Sequence, residues 1–133
     1  MANATRWLRI SYWVGAVLDG VVGLTMAAEA ALGVPSPLTH YVPEPPYRYA
    51  IALAASLMLG WTLLLLWADR QPVQRRGVLL ITNVAIVGLA CSNILALSSG
   101  LLALPVFASV LALQVALVML FTFSYSASVK GSR

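Results

Sequence analysis

The chain has 133 residues, of which 61% are hydrophobic and only 9% charged, and its mean hydropathy is +0.90. A soluble domain carries about 25% charged residues, and eight basic with four acidic side chains could not cover the surface of one this size. These figures exclude a water-soluble domain, a disordered tail and a disulfide scaffold, and they point to an all-α integral membrane protein, a bundle of four transmembrane helices.

The first apolar segment runs near residues 10–32 and contains two acids, Asp19 and Glu29. Read as a secretory signal, it would have Arg6 and Arg9 as the basic region and Ala28-Glu29-Ala30 as the cleavage motif. Its length and the mid-segment Asp19 argue against that reading. A Pro-rich connector, 34–48, follows; it holds five of the seven prolines, with His40, Tyr41 and Tyr47. Proline cannot continue a helix, so a stiff extended strap is expected there, serving as a connector or as a docking surface. The second segment, 49–68, is bounded by Arg48 and Asp69. A short basic connector, 69–77, then carries Arg70, Arg75 and Arg76, expected to anchor the chain at anionic lipid headgroups.

Residues 77–129 contain no Asp, Glu, Lys, Arg or His over 53 positions. One helix of that length would run about 80 Å against a hydrocarbon core of about 30 Å, so it must fold back. Ser98-Ser99-Gly100, with Pro105 after it, marks the break. A third helix is expected near 78–97 and a fourth near 101–125, all in a single membrane domain.

With four spans, seven of the eight basic residues fall at one end and Arg48 alone at the other. Lys and Arg favour the cytoplasmic side, so both termini are expected in the cytoplasm of a multi-pass protein of a bacterial inner or plasma membrane. The same split argues against insertion in both orientations. The net charge of +4 reflects these flanking residues and implies no nucleic-acid partner.

Depth along each helix then places the polar residues. Asp19 falls near the midplane, and the same count brings Gln114 on the fourth helix to its level. Asn83 and Asn93 lie deep on the third helix. Asp19, Gln114, Asn93 and Asn83 are therefore the candidate mid-membrane polar site, with Gln114 expected to accept a hydrogen bond from an uncharged Asp19. Glu29 and Arg48 lie near the outer surface and are expected to pair. Asp19 also sits in a stripe of period four, Ser11, Gly15, Asp19, Gly23, Ala27 and Ala31. Shorter stripes occur at Ala52, Ser56, Gly60, at Gly88, Ser92, Ala96, and at Ala108, Ala112, Ala116. In membranes, small residues at this spacing let helices approach closely.

One cysteine, Cys91, and one histidine, His40, rule out an internal disulfide, a CxxC pair and a multi-histidine metal or haem site within one chain. There is no phosphate-binding glycine loop, no HExxH and no GxSxG. No catalysis, cofactor or metal is expected. Three functions remain: an accessory subunit that packs against another membrane subunit or a second copy through small-residue faces, a proton- or cation-coupled transporter or channel using Asp19, and a binder of lipid or another apolar ligand.

Overall fold

The computed structural model describes residues 2–35 and 44–130. Most of the Pro-rich connector, with His40 and Tyr41, lies outside the described residues, as do Met1 and 131–133. Four helices follow in order, α1 (Ala2–Leu32), α2 (Pro45–Asp69), α3 (Gly77–Ser98) and α4 (Leu104–Lys130). Each is long and apolar enough to cross a membrane.

The helix ends differ from those expected. α1 starts at Ala2 and not near Ile10, because residues 2–9 contain neither proline nor glycine and so nothing interrupts the helix. α2 starts at Pro45, since proline in a first turn gives up an N–H that has no partner there anyway. α4 starts later, with Pro105 in its first turn. The turn before it consumes Ser99 to Ala103 because α3 closes in a Schellman motif. Gly100 adopts φ 74°, Leu101 N–H reaches the Ala96 carbonyl at 2.9 Å, and Gly100 N–H reaches that of Leu97 at 3.1 Å. α4 also continues to Lys130, five residues beyond the expected end.

α1 packs on both α2 and α4, and α3 packs mainly on α4, so the spatial order is α2–α1–α4–α3. The buried core is Leu8, Tyr12 and Ala16 of α1 with Leu65, Ala68, Leu79, Ile86 and Phe121. Most of these residues lie in the half of the bundle nearest the basic residues. Other contacts tighten that end. Ser11 and Ser124 share a buried hydrogen bond of 2.7 Å, Tyr12 donates to the Pro72 carbonyl at 3.3 Å, and the rings of Trp7 and Phe123 meet edge to face. Towards the other end, α1 and α2 remain packed through Gly23, Ile51 and Ala55, while α3 and α4 show lipid-type side chains such as Ile94, Leu95, Leu104 and Leu113 on their surfaces.

The α1 stripe is a true contact face. A Cβ added to Gly15 would lie 3.0 Å from Leu65 and 3.2 Å from Phe121, and one added to Gly23 would lie 3.0 Å from Leu59. The other stripes do not pack within the chain. Gly60 and Gly88 have nothing within 4 Å of an added Cβ, and Ala52, Ser56, Ala108, Ala112 and Ala116 are exposed. The α2 helix presents Ile51, Ala55, Leu65 and Ala68 to its neighbours instead.

This contrast is testable by thermal denaturation in detergent. Gly23→Leu should overpack the α1–α2 contact and cost about 1–3 kcal/mol. Gly88→Ala meets no neighbour and removes a helix-destabilising glycine, so its midpoint should stay level or rise. Equal midpoints for the two variants would contradict the close α1–α2 approach.

Candidate functional site

α1 lies between α2 and α4, and α3 is held mainly by α4, so α2 and α3 are left apart over much of their length. They are bridged by Trp61 Nε1–H, which donates to Thr82 Oγ1 at 3.2 Å. The Thr82 hydroxyl in turn donates to the Val78 carbonyl one turn back, at 2.8 Å. This bridge closes the end of the gap nearer the basic residues. Beyond it a cleft of about 310 Å³ opens between the two helices, with Leu57, Met58, Ile86 and Leu89 on its walls. Ala85, Gly88 and Ser92 give α3 a low profile along it, and Asp19 of α1 is the ionisable side chain that lines it.

Asp19 is half-buried. Among the described residues it makes no hydrogen bond and no ion pair. Its expected partner, Gln114, is buried with its Oε1 unpaired, and the expected Asp19–Gln114 bond does not form. The cause is register. The Ser11–Ser124 bond and the Gly15–Phe121 approach put Leu117 and Val118 opposite Asp19, which leaves Gln114 about one turn further along. The early end assigned to α4 in the sequence displaced that count.

The four expected polar residues thus do not converge. Asn83 donates through Nδ2 to Thr122 Oγ1 of α4 at 3.0 Å, and its own Oδ1 is buried and unpaired. Asn93 makes no hydrogen bond among the described residues. Thr25 and Ser109, on α1 and α4, bond back to the Val22 and Val106 carbonyls of their own helices. Only Asp19 opens into the cleft. Trp61 and Thr82, the groups that shape it, were not singled out from the sequence. The clue was present in a tryptophan deep within an apolar segment, since a buried indole N–H needs an acceptor.

The near-surface pair is also rearranged. Arg48 donates through Nε to the Ala30 carbonyl at 2.9 Å and through Nη2 to that of Ala31 at 3.0 Å, and it forms no ion pair with Glu29. A helix ends with unpaired carbonyls and a partial negative charge, and a guanidinium answers both. Gly33, at φ 66°, takes the preceding carbonyl, that of Glu29, at 2.9 Å.

Two of the three expected lipid anchors do the same work at the other end. Arg75 bonds the Trp67 carbonyl and stacks 3.4 Å over the Trp67 ring centroid, and Arg76 reaches the Ser128 carbonyl at 3.3 Å. Arg70 is exposed. Asp69, which the sequence marks only as the boundary of the second segment, accepts from Trp13 Nε1–H at 3.2 Å and lies 3.7 Å from the Arg9 guanidinium. That ties the start of α1 to the end of α2.

No family model, no curated protein and no solved structure matches this chain.

If Arg48 caps α1 and does not pair with Glu29, the two side chains should be energetically independent. Arg48→Met is expected to cost about 1 kcal/mol, the modest worth of a partly exposed cap. The cost should be the same in a Glu29→Gln background. A double-mutant cycle on thermal midpoints checks this, and a coupling energy clearly different from zero would restore the ion pair.

Proposed function

We propose that this chain is a plasma-membrane protein with four spans, cytoplasmic termini and no catalytic chemistry. In this reading its function is to bind a small membrane-soluble ligand in the cleft between α2 and α3. One observation carries the reading: Asp19 faces an apolar cleft and has no partner among the described residues. A buried carboxyl that serves only as glue would be expected to reach another helix, whereas a carboxyl with no partner beside open space is arranged to meet something from outside.

Size argues for a ligand over a helix at this place. Small-molecule sites run from about 300 to 1,000 Å³ and are mostly apolar with a few polar groups, which fits a cleft of about 310 Å³. A partner helix is about 10–12 Å across and could lie over this opening but not enter it. The cleft opens sideways between two helices, so its ligand arrives through the bilayer.

The accessory-subunit reading keeps one observation of its own. Ala108, Ala112 and Ala116 form an exposed small-residue face on α4, of the kind that seats another transmembrane helix. The two readings use different helices, α4 in one and the α2–α3 cleft in the other, and are compatible.

Native mass spectrometry of protein extracted in mild detergent tests the main reading. A bound species should accompany the native chain and be lost from Gly88→Phe, whose Cβ meets no neighbour and whose ring would occupy the cleft that Gly88 lines. Retention of the same species in that variant would count against the cleft. Topology is tested separately by an impermeant thiol reagent in a Cys91→Ala background. Cysteines at Ala2 and Ser132 should stay unlabelled in intact cells and react after permeabilisation.

A further inference from the structure

We propose that the α2–α3 cleft takes an amphiphilic organic cation, with its charged head between Asp19 and Trp61 and its apolar body along Leu57, Ile86 and Leu89. This inference rests on reading the cleft as a ligand site and names the class of ligand.

The first argument is charge complementarity. Asp19 lines the cleft and no element packed around it supplies a counter-charge. α3 carries no charged residue, α4 has none before Lys130, and α2 has none between Arg48 and Asp69. On α1 the nearest cation, Arg9, lies ten residues away, about 15 Å along the axis. It is already close to Asp69, at 3.7 Å. An anionic ligand would be repelled by an ionised Asp19, and a purely apolar one would leave the carboxyl unmet. A cation completes it.

The second argument is the indole. Trp61 lines the same cleft, and its N–H is already committed to Thr82 at 3.2 Å. That bond fixes the ring and leaves its π face as its means of recognition. A positive head beside both a carboxyl and an aromatic face gains from each, most strongly where water is scarce. Met58, on the same wall, adds a polarizable surface that tolerates varied shapes.

The third argument is the form of the opening. The Trp61–Thr82 bridge closes the end nearer the basic residues, and the walls beyond it are mainly apolar, with Ser92 among them. A ligand sliding in from the bilayer places its polar end at Asp19 and leaves its tail among side chains as apolar as lipid.

The test uses the full chain in phosphatidylcholine nanodiscs with ¹³C-methyl methionine. Met58 reports the cleft, while Met26 and the exposed Met119 report general partitioning and the integrity of the fold. The probes are decyltrimethylammonium, decanol and decyl sulfate. The cation should shift the Met58 signal saturably, at concentrations at least tenfold lower than either of the others. Asp19→Asn should weaken the cation at least tenfold, leave decanol unchanged and keep the Met26 and Met119 signals in place. Trp61→Leu should weaken the cation several-fold, and Trp61→Phe, which keeps a ring, should restore most of the loss. If decanol binds as well as the cation, or Asp19→Asn leaves the cation's affinity unchanged, the cation assignment is overturned and the cleft reading stands. If no probe moves Met58 while all move Met119, the cleft reading itself falls, and this inference with it.

Discussion

The architecture depends on the narrow face of α1. Between helices in a bilayer there is little hydrophobic driving force, because lipid tails are as apolar as leucine. Helices associate where backbones approach closely and where polar groups can bond across the contact. α1 offers both on one stripe. Gly15 admits Leu65 from α2 and Phe121 from α4, Ser11 bonds Ser124 of α4, and Gly23 admits Leu59 and Met58 of α2. The helix is therefore gripped from two sides and becomes the centre of the bundle. α3 has no comparable face: Gly88 meets nothing, and its attachment to α4 includes the Asn83–Thr122 bond. The cleft between α2 and α3 follows from this imbalance, with one helix that packs strongly on two neighbours and another that packs mainly on one.

A second constraint explains the arginines. The final carbonyls of a helix lack partners within it, and near a membrane there is less water to supply them. Arg48 closes the end of α1, Arg75 that of α2 and Arg76 that of α4, and the Schellman turn at Gly100 closes α3. Positive charge at these positions also complements the helix dipole. The same residues read from sequence as topology signals and headgroup anchors. Both descriptions can hold for a long cation whose stem packs along the helix end and whose head stays at the interface. The structure adds the specific bonds, and these account for the absence of an ion pair between Arg48 and Glu29.

Much of the fold was legible because composition and length leave few options. A run of 53 residues without charge has to turn back on itself, and Ser98-Ser99-Gly100 is where it does. The α1 stripe was legible for the same reason, since glycine and serine repeated every fourth residue have little other use in a membrane helix. The polar site was harder to read. Depth counting assumes that each helix starts and ends where its charges suggest. α4 runs on past residue 125 through Ser126 and Ser128 to Lys130, and that shift moved Gln114 about a turn past Asp19. Nor could counting say which way a side chain faces. Asn83 lies on the α3 surface that meets α4, so it bonds Thr122, whereas Thr82, one position earlier, faces α2 and receives Trp61. A rotation of about 100° per residue decides between those outcomes, and only packing fixes the rotation.

The position of Asp19 remains the strongest constraint on function. Placing a carboxyl at the centre of a membrane helix costs about 2.5–3.5 kcal/mol on insertion scales, and a bond across the bundle would offset part of that. The structure offers acceptors and donors elsewhere: Ser11 meets Ser124, Asn83 meets Thr122, and Trp61 meets Thr82. The chain therefore does join helices through polar groups, and it does so at its closed end, without Asp19. Gln114, the nearest amide to that level on α4, keeps its own carbonyl oxygen unpaired and does not turn to meet it. Among the described residues no partner for a structural role stands beside it. In the proposed reading the carboxyl finds its partner in whatever enters the cleft it lines, so that its stabilisation comes from binding and not from folding.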